Sequence, residues 1–89
     1  MLNSIILEGT VSIIDNRNIF IKSIHTTRDG QEIIIVPCFL NEHFTVPDLN
    51  SKVRVVGRLQ RNDNLLGIYV EHIEMAPVGS LSNEDDEIL

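Results

Sequence analysis

Eighty-nine residues allow one domain with a small core and not two, and 43% hydrophobic against 22% charged residues favours a folded soluble domain over a disordered chain. No apolar run reaches the length of a membrane span, and the opening "MLNSIILEGT" has neither a basic n-region nor a small-residue cleavage site, so a cytoplasmic protein is expected. The formal charge of −6 is unevenly spread: residues 84–89 hold four acids and no base, while the other 83 residues carry seven Lys and Arg against nine Asp and Glu. The body of the chain is therefore near balance, at −2, and one sign for the whole chain misdescribes its surface.

The apolar pattern is that of strands. "SIILEGTVSII" (4–14) has period two, with Ile5, Leu7, Gly9, Val11 and Ile13 on one face and Ile6, Glu8, Thr10, Ser12 and Ile14 on the other. Gly9 within it marks a bulge or sharp bend. "DNRN" (15–18) is a turn into a second strand, "IFIKSIHTT" (19–27). "RDGQ" (28–31) carries the Asp-Gly hairpin signal and leads to a third, "EIIIVPCFL" (32–40). Pro37 has no N–H and belongs near an edge, a bulge or the strand's end. An irregular connection, "NEHFTVPDLNSK" (41–52), precedes the fourth strand, "VRVVGRLQ" (53–60); "RNDN" (61–64) then turns into the fifth, "LLGIYVEHIEM" (65–75). From residue 77 onwards Pro, Gly, Ser and acids replace the apolar pattern, so the reading divides the chain into a barrel domain, 1–76, and a flexible acidic tail, 77–89. Five strands with the longest break between the third and fourth fit an all-β OB-fold, a five-stranded Greek-key barrel, with its helix between strands three and four shortened or missing. An SH3-like barrel is the competing architecture.

Four blocks carry a family resemblance. "MLNSIILEGTVS", "KVRVVGRLQR", "IYVEHIEMAP" and the acidic tip "EDDEIL" resemble, in this order, the first strand, fourth strand, last strand and C-terminal tip of the bacterial single-stranded-DNA-binding proteins (SSB). The chain has no tryptophan, a minimal hairpin between strands two and three, Pro47 where the family has a helix, and only "PVGSLSN" between barrel and acids. These differences fit the smaller SSB-like and primosomal OB proteins. The resemblance implies a non-enzymatic protein that binds single-stranded DNA with little sequence specificity in replication, recombination or repair, as a homodimer or homotetramer, without a cofactor. It also implies that the tip Glu84, Asp85, Asp86, Glu87, Ile88 and Leu89 docks replication or repair proteins; the plain alternative is an acidic solubilising tail.

Single strands are held by aromatic faces and by cations along the phosphates. If Ile19 and Ile21 face the core, Phe20 and Lys22 stand together outside, against a ligand or a second subunit. Tyr69 also points outward, to stack a base or to cap the barrel wall. Phe39 can lie on either side, because Pro37 can shift the register, and Phe44 is read as a plug for the barrel's end. Val53, Val55, Gly57 and Leu59 form the inner face of strand four, leaving Arg54 and Arg58 outside for phosphate, for an acidic partner or for pairing with Glu8. Arg28 sits in the hairpin turn, and Arg17 and Arg61 flank the usual OB groove. Ile6, Glu8 and Thr10 form the outer face of strand one, the expected oligomer interface. His25, His43, His72 and Cys38 lack the local spacing of metal ligands, and Cys38 reads as a small core residue. No nucleophile motif or phosphate loop is present, so catalysis is not expected. Two other readings stay open: a protein-interaction OB module of a replisome or primosome, favoured by the 4% aromatic content, and an RNA-binding OB domain.

Overall fold

The structure, a computed structural model, describes residues 3–76. Five strands follow the five apolar runs: β1 (Ser4–Asp15), β2 (Asn18–Thr27), β3 (Gly30–Phe39), β4 (Lys52–Asn62) and β5 (Leu65–Met75). They close into a barrel in the order β1-β2-β3-β5-β4, with β3 and β5 parallel and every other pair antiparallel. This is the OB topology. The tight turns form where short polar residues tolerate a left-handed backbone: Asn16 has φ 57°, Asp63 has φ 59° and Gly30 has φ 134°. The connection between β3 and β4 holds no helix.

The core follows strand parity. Val11, Ile19, Ile21, Cys38, Val53, Val55, Ile68 and Val70 are completely buried, and Leu40 joins them from the end of β3. Phe44 and Val46, from the irregular connection, pack against this cluster at the place where a helix was expected to be lost. Burial of the Cys38 side chain pushes its thiol up to about 12, so it stays protonated and inert.

Strand β1 is shared between two neighbours. Ser4 to Thr10 pair with β4, and Thr10 to Asp15 pair with β2. At the changeover, Gly9 packs so closely on β2 that a Cβ there would strike the Lys22 carbonyl oxygen and sit 2.7 Å from Ile21 Cγ2. The expected bulge is not at Gly9 but two residues on, where the register shifts between Val11 and Ile13. That shift reverses the alternation, so Ile13, expected inside, is half exposed, while Ile14 comes into register with the buried Ile19 but remains exposed itself. Leu59, also expected inside, is 46% exposed because β4 and β5 run on as a hairpin past the closed part of the barrel. A second register shift, between Val56 and Gly57, bends that hairpin.

Gly57 is another point of close approach: a Cβ would meet the Tyr69 carbonyl oxygen and lie 2.8 Å from Ile68 Cγ2. Gly57→Ala should destabilise the barrel by about 1–3 kcal/mol, read as a lower urea midpoint, because backbone cannot move aside as a side chain can. Cys38 should resist a thiol-specific disulfide reagent at pH 8 until the protein unfolds; modification at the rate of a free thiol in the native state would contradict its burial.

Candidate nucleic-acid interface

The β1–β2–β3 wall carries its outward residues in rows set by the register. Ile13, Phe20 and Pro37 form one row, Thr10, Lys22 and Ile35 the next, and Ile24 with Ile33 the third. Phe20 is half-buried, in register between Ile13 and Pro37, with its ring on the outer side, as strand parity predicts. Lys22 is exposed and makes no ion pair among the described residues. Beyond it the surface is apolar, and Ile33 is 61% exposed. An aromatic face, a lysine one step away and an apolar apron are the elements a single strand needs for stacking and for phosphate attraction.

The β1–β4–β5 wall is built differently. Arg54 lies between Glu8 and Glu74, donating from Nε to Glu8 Oε2 at 2.7 Å and from Nη1 to Glu74 Oε2 at 3.3 Å. The bond and charge of Glu8 hold its guanidinium above the ordinary value. Arg58 pairs with Glu71 at 2.8 Å, and His72 lies 3.3 Å from Glu74. Two arginines thus face three carboxylates, so this cluster carries no net positive charge and both guanidinium groups are already paired. Of the readings open for them, cross-strand pairing is the one realised.

Three further candidates are engaged within the barrel itself. Arg17 is half-buried and donates from Nε to the Asn41 carbonyl at 3.1 Å, and from Nη2 to the carbonyls of Asn41 and Phe44. It clamps the β3–β4 connection, which has no helix to hold it, and is not presented as a phosphate ligand. Phe39 is 6% exposed, and its ring edge lies where a side chain at Gly67 would be, so it cannot stack a base. Tyr69 keeps its outward parity, opposite Arg58, but is half-buried, and its hydroxyl takes a 3.2 Å hydrogen bond from Asn41 Nδ2. Arg28 and Arg61 are exposed and unpaired among the described residues, Arg28 in the β2–β3 turn and Arg61 on the distal β4–β5 hairpin.

On the outer face of β1, Ile6 is 68% exposed, Glu8 is held by Arg54, and Thr10 stands between two lysines. One of these lysines was not foreseen. Lys52, assigned from sequence to the irregular connection, is the first residue of β4 and pairs with Thr10 across the strand from Lys22. The signal was available: Lys52 shares the parity of Arg54 and Arg58. Lys22, Thr10 and Lys52 line a pocket of about 220 Å³ whose other lining includes Gly9, Val53 and Ala76. Among the described residues, no group of three or more His, Cys, Asp and Glu is placed to hold a metal. The tip residues Glu84, Asp85, Asp86, Glu87, Ile88 and Leu89 lie outside the described residues.

No protein-family model matches the sequence, and no curated protein does. Solved structures do match in fold. A small single-stranded DNA-binding protein from Streptomyces coelicolor superposes with a TM-score of 0.61 at 12% identity, covering 85% of this chain and 95% of that one. The dimeric N-terminal domain of a PriB protein from Thermoanaerobacter tencongensis gives 0.56 at 15% identity, covering 84% and 97%. At these identities the likeness establishes the barrel and its connectivity.

The Arg17 clamp leads to a stability prediction. Arg17→Ala should cost about 1–3 kcal/mol, because two part-buried carbonyls lose a charged donor. Limited proteolysis should then cut first within 41–51, whereas an unaltered melting temperature and cleavage pattern would show that the clamp contributes nothing.

Proposed function

We propose that this chain is a non-enzymatic protein that binds single-stranded DNA with little sequence preference, in the setting of replication, recombination or repair. The observation that carries the reading is the outward Phe20 beside the unpaired Lys22 on the β1–β2–β3 wall. The charge arrangement around Lys22 supports it: Glu8, Glu71 and Glu74 are held by Arg54 and Arg58, and Lys22 is left without an acidic partner among the described residues. The fold likeness to a protein described as single-stranded-DNA-binding points the same way. Arg28 and Arg61 extend the track at the two hairpin ends, and Tyr69 borders it with a partly occupied hydroxyl. Two barrels joined through the Ile6 face would lengthen a track that one barrel makes short. The tail, 77–89, would dock replication or repair enzymes with its acidic tip.

A second reading has its own observation. Ile24, Ile33 and Ile35 form an exposed apolar stripe that a protein partner could cover, as in an OB module that has lost its DNA contact. Oligo-dT and oligo-U titrations decide between these readings. Oligo-dT affinity that falls steeply with salt supports the first; preference for oligo-U would make the ligand RNA; no binding of either at low salt would leave the protein-partner reading.

Phe20→Ala should weaken oligo-dT binding by about 1–3 kcal/mol, roughly five- to 150-fold, the usual value of one stacked base. Its melting temperature should change little, because the ring lies outside the core. Undiminished affinity in this variant would remove Phe20 from the interface.

A further inference from the structure

Thr10 is the single residue of β1 paired on both sides, to Lys22 of β2 and to Lys52 of β4. Adjacent strands lie roughly 4.8 Å apart, so the two lysines start about 10 Å apart on the outer surface, and their side chains are long enough to lean over the threonine between them. Both are exposed, and neither is ion-paired among the described residues. The pocket between them, of about 220 Å³, is lined as well by Gly9, which has no side chain, by Val53 and Ala76, and by the exposed Ile24. One acid, Glu8, reaches its rim, and that carboxylate is already held by Arg54 at 2.7 Å. The pocket therefore carries a net positive charge and a hydroxyl.

We propose that Lys22, Thr10 and Lys52 form a seat for the phosphodiester backbone, with Lys52 as a phosphate-binding residue equal in standing to Lys22. This rests on the reading of the chain as a single-strand binder and adds to it a path. A strand stacked on Phe20 meets Lys22 one row along, crosses β1 over Thr10 and reaches Lys52, and there it stops, because the next row is Glu8–Arg54–Glu74. The strand thus runs across the barrel wall, at a steep angle to β1, instead of along the β2–β3 hairpin. Two ammonium groups at this spacing suit neighbouring phosphates and leave the bases unread, in keeping with weak sequence preference.

The test uses the full chain and a fluorescein-labelled dT oligonucleotide, titrated over a series of salt concentrations, with Lys22→Gln, Lys52→Gln, the double variant and Arg58→Ala. Each phosphate released from a single strand makes the slope of log affinity against log salt shallower by about 0.7. Lys52→Gln should show that change, as Lys22→Gln does, the double variant about twice as much, and Arg58→Ala none. All four should melt with the wild type, since these side chains are exposed. Wild-type binding with an unaltered slope in Lys52→Gln overturns the seat and leaves the DNA reading standing. Absence of binding by the wild-type protein overturns the DNA reading and the seat together.

Discussion

The geometry depends on one change of partner. β1 leaves β4 and takes up β2 at Thr10, and it can do so only because Gly9 lets the β2 backbone close in to side-chain-free contact. From that point outward most of the surface chemistry is set. The changeover puts Lys22 and Lys52 on either side of Thr10. The bulge that follows turns Ile13 out beside Phe20 and brings Ile14 into register with Ile19. A side chain at position 9 would meet the β2 backbone at Lys22, so the requirement for glycine there is structural, and the proposed lysine seat depends on it.

Charge is sorted over the same framework. A chain of −6 makes an unpromising ligand for a polyanion when taken whole. The barrel addresses this by position. Glu8, Glu71 and Glu74 lie on one wall, where Arg54 and Arg58 hold them, whereas Lys22 and Lys52 have no acidic partner among the described residues. Exposed ion pairs of this kind add little to stability. Their consequence here is electrostatic: they neutralise the carboxylates nearest to Lys52, which bears on the proposed phosphate path.

Much of the fold was legible because its signals are local. Period-two runs with Ile and Val inside, Asp-Gly and Asn turns, and the long break after β3 specify five strands, and their order then follows from few closed alternatives. The outward placement of Phe20 and Lys22 follows from parity alone. Failures came where a residue's fate depends on distant backbone. Nothing near Ile13 announces a bulge: the extra residue is Ser12, an ordinary strand residue in sequence, and the shift shows only in the pairing with β2. Arg17 reads as a loop cation until one sees that the helix-free connection leaves carbonyls at Asn41 and Phe44 for it to satisfy. Phe39 was ambiguous because Pro37 lies two residues before it; it keeps the outward parity of Pro37 and Tyr69 and is buried there, its ring packed over Gly67 and outside the core cluster. Lys52 was missed because a strand's first residue looks like the loop's last.

The central claim is that a single strand lies on the β1–β2–β3 wall and leaves it across Thr10. Backbone amide chemical-shift mapping of the full chain with and without oligo-dT tests this most directly. The account predicts perturbations concentrated at Thr10, Phe20, Lys22, Ile35 and Lys52, with the Glu8–Arg54–Glu74 wall largely unaffected. Shifts centred on Arg54, Arg58 and Glu71, or no shifts at saturating oligonucleotide, would contradict it.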